Sequence, residues 1–206
     1  MRIVLFLLAA VTGGTAPRGA DLVPPGIGAK VADVAMQDVS GQRRTLAEYK
    51  NKKAIVVVFV GTECPIANLY FPTLAEMHKH YNDKGVQLLV INSNDQDSLA
   101  DVVAHARERN LPFPMLKDDG HRAADAFGAR RTPEVFLLDP NRAIRYRGRI
   151  DDQYGYTYQR AAPTRTELKD ALEELLAGKP VTRSESECQG CRIGRVSQDS
   201  PNNPAR

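Results

Sequence analysis

Cysteine is scarce in this chain: Cys64, Cys188 and Cys191 are the only three in 206 residues. That is too few for a disulfide-stapled scaffold and, being odd, the set cannot be paired off within one molecule. One thiol therefore stays free, pairs with another molecule or takes part in exchange. No apolar run approaches the ~20 residues that a membrane-spanning helix needs, so no stable span is expected. Charge of one sign is lacking too. The formal net charge is +3, and no cluster of Lys and Arg is interleaved with aromatics, which excludes an electrostatic nucleic-acid footprint. Internal repeats are absent. What is present is a composition that fills one core, 42% apolar and 26% charged, as expected of a single α/β or α+β domain with extensions.

The first 20 residues, MRIVLFLLAAVTGGTAPRGA, place one Arg before a short apolar stretch and small residues after it, the layout of a secretory signal. Pro17 and Arg18 sit where small residues are wanted for cleavage, so an uncleaved anchor is the alternative. Loss of residues 1–20 removes Arg2 and Arg18 and no acid, so +3 less 2 leaves +1. The expected location is exported, periplasmic or extracellular. Exposed thiols in such an oxidising compartment seldom persist by accident.

Residues 30–50 read as an edge hairpin turning at Ser40-Gly41. AIVVVFV, 54–60, is a nearly continuous β-branched run, the pattern of a central strand covered on both faces. From Pro65 onward Ile66, Leu69, Tyr70, Leu74, Met77 and Tyr81 recur at three- and four-residue steps, with Gly85 as the stop. This predicts a helix of about five turns, kinked at Pro72. VQLLVIN, 86–92, is the next buried strand, and Leu99, Val102, Val103 and Ala106 mark a second helix capped by Ser98 with Asp101. PFPML leads to a short strand, HRAADAF to a short helix, and EVFLLD and AIRYRGRI to an antiparallel pair turning at Pro140-Asn141. Thr164 and Glu167 predict a capping box for a last helix carrying Leu168, Leu172 and Leu175 and ended by Gly178. Beyond Ala177 large apolar side chains nearly vanish, which predicts a mobile tail. The organisation expected is a signal at 1–20, a domain at 21–178 and a tail at 179–206 that carries a CxxC pair.

Cys64 sits where the strand gives way to the helix. A nucleophilic sulfur has to be thiolate, and a helix start offers unpaired N–H groups and the positive dipole end that favour it. Pro65 suits the first helical turn, where its missing N–H goes unneeded. Glu63 works against the thiolate if its carboxylate turns inward. The stretches TECPIA (62–67), VINSND (90–95), RTPEVFLLDP (131–140), YRGRIDD (146–152) and GCRI (190–193) follow one another in an order that resembles the thioredoxin-like redoxins. Within them the chain is most similar to the peroxiredoxin-like branch, of alkyl hydroperoxide reductase/thiol-specific antioxidant type, from about Lys30 to Gly194. The resemblance implies an α/β, thioredoxin-like three-layer sandwich, a central mixed β-sheet flanked by helices, here with an N-terminal β-hairpin extension. It also implies a cis Thr132–Pro133 bond lying against Cys64, and so a site made of Cys64, Thr62, Pro65, Thr132 and Pro133. This chain departs from the pattern at two places. Ala67 occupies the position where thioredoxins carry a second cysteine, which excludes local disulfide cycling. Gly61 stands where typical peroxiredoxins have threonine, with Thr62 one place later, and their activating arginine is unmatched unless Arg130 or Arg131 stands in.

A sulfenic acid or mixed disulfide at Cys64 needs a second thiol, and Cys188 and Cys191 in ECQGC are the candidates. The tail from Gly178 to Cys191 extends roughly 40 Å at most, against a domain radius of gyration of about 15 Å, so it can reach Cys64 of its own or a partner molecule. The plainer alternatives are a buried structural thiol for Cys64 and a local disulfide or half a zinc site for the tail pair. Arg192 follows Cys191 where heme attachment wants His. His78 and His80, two apart on a helix, face apart and cannot chelate one ion. His105 and His121 receive no role, and Tyr154, Tyr156 and Tyr158 read as loop packing over the sheet. The sequence thus points to a thiol-dependent oxidoreductase in which Cys64 attacks a peroxide or a protein disulfide and an external thiol reductant restores it. No organic cofactor or metal is required. The rival is a non-catalytic binding or metal-handling module of the same fold.

Overall fold

The computed structural model describes residues 24–195; the candidate signal at 1–20 and the end of the tail lie outside the described residues. The expected edge hairpin is present as β1 (Ala35–Asp38) and β2 (Arg43–Thr45). It is followed by β3 (Ala54–Val60), α1 (Pro65–Tyr81), β4 (Val86–Asn92), α2 (Leu99–Glu108), β5 (Met115–Lys117) and α3 (Arg122–Phe127). Then come β6 (Arg131–Thr132), β7 (Glu134–Leu138), β8 (Ile144–Gly148), α4 (Glu167–Leu176) and β9 (Cys191–Arg192). Seven strands form one sheet in the order β2-β1-β5-β4-β3-β7-β8. The sheet is mixed: β3, β4 and β5 run parallel, while β7 and β1 pair antiparallel with β3 and β5.

All seven residues of β3 are buried, as a strand rich in Val and covered on both faces should be. Its period-2 alternation feeds two cores. Val56, Val58 and Val60 join α1, α4 and Val102 of α2, whereas Ile55, Val57 and Phe59 join α3 and the N-terminal segment around Val31, Met36 and Leu46. Phe59, Phe127 and Phe136 meet edge to face at centroid distances of 5.1–5.8 Å. The result is the α/β sandwich with a central mixed sheet and helices on both faces.

Two local expectations are corrected. The buried stripe of α1 runs through Ala67, Tyr70, Phe71, Leu74 and Tyr81, and Leu69 is 40% exposed. Tyr70 sets this rotation, because its hydroxyl donates to Asp151 Oδ1 at 2.6 Å and its ring meets Tyr154 edge to face. The capping box at α4 is absent: Thr166 takes the N-cap position without a side-chain bond to the helix backbone, its hydroxyl donating instead to Asp170 Oδ1 at 2.9 Å. Thr164 instead donates to Asp152 at 2.5 Å, and Glu167 accepts from Arg149 Nε at 3.1 Å. Partners distant in sequence won over the local motif. At α2 the box formed by Ser98 and Asp101 is present, and the pair β7–β8 is antiparallel.

The tail, expected to be loose from 179 onward, lies against the domain over its described residues. Arg147 exchanges backbone bonds with Ser184 and Ser186, and Ile193 is buried at 7% exposure in the α3-side core. Low apolar content gives no sign of this, because main-chain bonds and polar side chains such as Ser186 and Gln189 hold the segment, and Ile193 is its one buried apolar side chain among the described residues. The ends of β3, β4 and β7 meet at one point: Val60 pairs with Asn92, and Phe59 with Glu134. Residues 61–64, 92–97 and 130–134 therefore converge where Cys64 stands.

The Asp152 carboxyl, held by the Thr164 hydroxyl and by the N–H groups of Thr164 and Arg165, is lowered to about 2 from an ordinary 3.8. A depressed carboxylate contributes stability that is complete above its unfolded pKa and is lost as pH falls through the folded value. Acid unfolding followed by circular dichroism is expected to show stability declining from about pH 4 toward pH 2, with the decline shallower in Asp152→Asn; an unchanged slope would remove Asp152 from this account.

Candidate active site

Cys64 is the N-cap of α1, with φ −73° and ψ 112°, and its carbonyl accepts the Asn68 N–H at 3.0 Å. Pro65 follows at the first helical position, where no N–H is needed. The cysteine is 4% exposed, and its Sγ–H donates to the Thr132 carbonyl at 2.9 Å. The Thr132–Pro133 peptide is cis. Thr132 Oγ1 is buried and has no partner among the described residues.

Beneath the sulfur lies a buried polar knot. The Thr62 hydroxyl donates to Asp97 Oδ1 at 2.6 Å and the Thr62 N–H to Oδ2 at 3.1 Å, while Asn92 and Asn94 donate to Oδ2 at 2.6 and 3.1 Å. Burial pushes the Asp97 carboxyl up, but this ring of donors outweighs it, and the net shift is downward. Lys117 Nζ, also buried, donates to the Asn94 carbonyl at 2.6 Å. Asn68 on α1 donates to the Thr62 carbonyl at 2.9 Å and is itself in contact with His105 Nε2 at 2.9 Å. The loop before Cys64 is thus tied to the end of β4 and to α1. Gly61 is required by space, since a Cβ there would meet Asn94 Nδ2 at 2.4 Å.

The tail closes over this junction. Arg131–Thr132 and Cys191–Arg192 pair antiparallel, with Cys191 opposite Thr132. Ile193 N–H donates to the Arg130 carbonyl at 3.0 Å, and Gly194 N–H donates to Asn94 Oδ1 at 2.8 Å. Gly190, at φ 151°, passes so near Thr132 that a Cβ would lie 2.0 Å from its carbonyl oxygen, the atom that holds the Cys64 thiol. The outcome is that Cys191 is a neighbour of Cys64; burial and the adjacent Cys64 thiol push the Cys191 thiol up. Cys191 is nevertheless exposed as a residue, whereas Cys64 is buried. Cys188 is half-buried, and burial together with the Glu134 carboxylate pushes its thiol up to about 11.

The AhpC/TSA family profile matches residues 27–147, more than half of the chain. The chain belongs to the AhpC/TSA family. A thiol-disulfide oxidoreductase, ResA, of Geobacillus thermodenitrificans is 26% identical over 145 residues, covering 69% of this chain and 82% of that protein. A hypothetical protein of Sinorhizobium meliloti has a crystal structure with a TM-score of 0.77 and 32% identity, covering 84% of this chain and 96% of that one. Peroxidoxin BcpB of Mycobacterium tuberculosis shares the fold, with a TM-score of 0.56 and 19% identity over 78% of this chain and 99% of that one. The expectation of a redoxin-type oxidoreductase agrees with these relatives.

Within this AhpC/TSA domain the sequence-derived residues divide. Cys64, Pro65, Thr132, Pro133 and Cys191 come together, whereas Thr62 turns its hydroxyl away to Asp97. Cys188 sits apart from Cys64, beside Glu134 and Arg131. Neither arginine stands in for an activating one at the sulfur: Arg131 donates to Tyr156 Oη at 2.7 Å and to the Gly190 carbonyl at 3.0 Å, and Arg130 is exposed. Tyr156 packs on the tail through its hydroxyl, which donates to the Gly190 carbonyl. Asn94, Asp97, Asn68 and Gly190 went unassigned in the sequence reading. For Asn94 and Asp97 the one signal is a run of polar residues directly after the buried strand β4, which has no reason to be buried unless it supports something.

A Gly190→Ala variant is expected to dislodge the tail, because the new methyl group collides with backbone. Alkylation of Cys64 by iodoacetamide, read by mass spectrometry, is expected to be at least about tenfold faster than in the parent, equivalent to ~1.4 kcal/mol of lost closure; equal rates would show that the tail does not cover the sulfur.

Proposed function

We propose that the protein is an exported thiol-disulfide oxidoreductase in which Cys64 and Cys191 form one dithiol/disulfide couple. The observation that carries this reading is the pairing of β9 with β6, which sets Cys191 opposite Thr132, the residue whose carbonyl accepts the Cys64 thiol. The Cys64 thiolate attacks one sulfur of a substrate disulfide; that S–S bond breaks, and the other substrate sulfur leaves as a thiolate and takes up a proton. Cys191 then attacks the Cys64 sulfur of the mixed disulfide, the second substrate thiol leaves, and Cys64–Cys191 is oxidised by the two electrons the substrate has gained. An external dithiol reverses the last bond. Holding Cys191 beside Cys64 makes resolution intramolecular, the advantage that a second cysteine at Ala67 would otherwise supply.

The polar surroundings of the sulfur favour disulfide over peroxide. Cleaving an O–O bond develops negative charge on oxygen and calls for hydrogen-bond donors aimed at it. Here the contacts of Cys64 are a carbonyl oxygen and a thiol, and the nearest arginine candidate is spent on the tail. A second reading rests on the burial of Cys64, which a small peroxide passes more easily than a protein does. In that case the thiolate takes the terminal peroxide oxygen, the alcohol or water leaves, and Cys191 condenses with the sulfenic acid to the same disulfide and water. A metal-handling role has less support. Among the described residues no group of three or more His, Cys, Asp or Glu could hold an ion, and Cys188 and Cys191 face different surroundings.

Reduced protein mixed with one equivalent of a protein disulfide such as insulin is expected to yield Cys64–Cys191, and Cys191→Ser to stop at a mixed disulfide on Cys64. Faster formation of the same bond with hydrogen peroxide than with insulin would transfer the assignment to a peroxidase. Failure of either oxidant to join Cys64 to Cys191 would end both versions.

A further inference from the structure

The couple just described leaves Cys188 unused, although it lies three residues from Cys191. We propose that Cys188 is a third catalytic thiol, which takes the disulfide over from Cys64 by attacking the Cys191 sulfur and so carries the oxidised bond out of the buried site onto the tail. This step rests on the Cys64–Cys191 reading. It is an isomerisation and needs no oxidant: the Cys188 sulfur bonds to Cys191, the Cys64–Cys191 bond breaks, Cys64 leaves as thiolate, and the proton given up by Cys188 is returned to Cys64.

The tail is built for such a handover. It is anchored on one side by the Arg147 bonds to Ser184 and Ser186 and by the Ser186 hydroxyl, which contacts Tyr146 Oη at 2.6 Å. On the other side it is anchored by the β6–β9 pairing and by Gly194. Cys188 belongs to the short link between these anchors, where Gln189 accepts a bond from Tyr156 N–H through its side chain and Gly190 is the next residue. A disulfide requires Cα atoms within about 7 Å, whereas residues three apart on an extended chain lie up to ~10 Å apart. The link already bends at Gly190, where φ 151° is a conformation that glycine permits, so the approach of Cys188 to Cys191 has its hinge there.

Timing follows from the surroundings of Cys188. In the closed tail it is Cys191, not Cys188, that stands opposite Thr132 and Cys64, and burial with Glu134 pushes the Cys188 thiol up to about 11, so Cys188 does not compete for Cys64. Bending the link moves it away from Glu134 and into water, which restores its nucleophilicity. The product leaves Cys64 reduced in its pocket and presents the disulfide on the exposed residue of the pair, where an external dithiol reaches it without reopening the domain. All three cysteines then have a part, which accounts for the odd count.

Trypsin makes the two isomers separable. Residues 184–192 form one peptide containing both Cys188 and Cys191, and Cys64 lies in the peptide 54–79. After one equivalent of diamide and acid quenching at successive times, the full chain is expected to show the cross-linked peptides first. The loop-linked 184–192 peptide, two hydrogens lighter than its reduced form, is expected to grow as they decay. Cys64→Ser should form the loop-linked peptide directly. Cys188→Ser should hold the cross-linked form and be re-reduced by dithiothreitol at least about tenfold more slowly than the parent. A parent chain that stays wholly cross-linked, a Cys64→Ser chain with no loop-linked peptide, or equal re-reduction rates would each overturn the handover while leaving the Cys64–Cys191 couple standing. Absence of cross-linked peptides in Cys188→Ser would overturn both.

Discussion

One short ladder governs the chemistry of this molecule: the antiparallel contact between Arg131–Thr132 and Cys191–Arg192. Thr132 serves two masters within it, because its carbonyl accepts the Cys64 thiol while its backbone lies opposite Cys191. A sulfur at a helix start is favoured as thiolate, but it completes an exchange within its own chain only when a second reactive group is brought to it. Here that group arrives from more than a hundred residues away in sequence, carried by a segment that has no hydrophobic face of its own. Main-chain hydrogen bonds and a glycine that lets two backbones touch do the placing.

Such a placement needs rigid ground, and the buried knot around Asp97 supplies it. Burying an ionised carboxylate is costly unless its oxygens are filled, and four donor contacts from Thr62, Asn92 and Asn94 fill them. The same Asn94 that helps hold Asp97 accepts the N–H of Gly194. The loop that presents Cys64, bonded to Asp97, and the tail that presents Cys191, bonded to Asn94, are therefore fastened to one linked pair. A shift of either is felt by the other, which under the proposed function suits two sulfurs that have to meet and part.

Covering Cys64 also changes how the site is approached. Cys64 is buried and Cys191 exposed, the reverse of a site in which the helix-start cysteine faces solvent. Under the proposed function, a bulky substrate requires the tail to yield, whereas a reductant finds the oxidised bond at the surface. Arg131 and Tyr156, both bonded to the Gly190 carbonyl, are spent on holding that cover in place, which is why neither serves the sulfur directly.

Much of this architecture was legible in the chain. The Val-rich run at 54–60, the capping box at Ser98, the turn at Pro140-Asn141 and the cysteine before Pro65 are local patterns whose physics needs few distant partners, and each stands where its pattern puts it. The misreadings share a cause. Leu69 lost its place in the helix stripe to Phe71, Thr164 and Glu167 lost their box to Asp152 and Arg149, and the tail lost its freedom to β6. In every case a partner remote in sequence outbid a local preference of about 1 kcal/mol. The sequence by itself determined the sheet, its helices and a thiol at their junction, because periodicity and capping act within a few residues. Only the tertiary structure decided which of the two tail thiols lies nearest to it, because that placement rests on a backbone pairing that no side-chain pattern encodes.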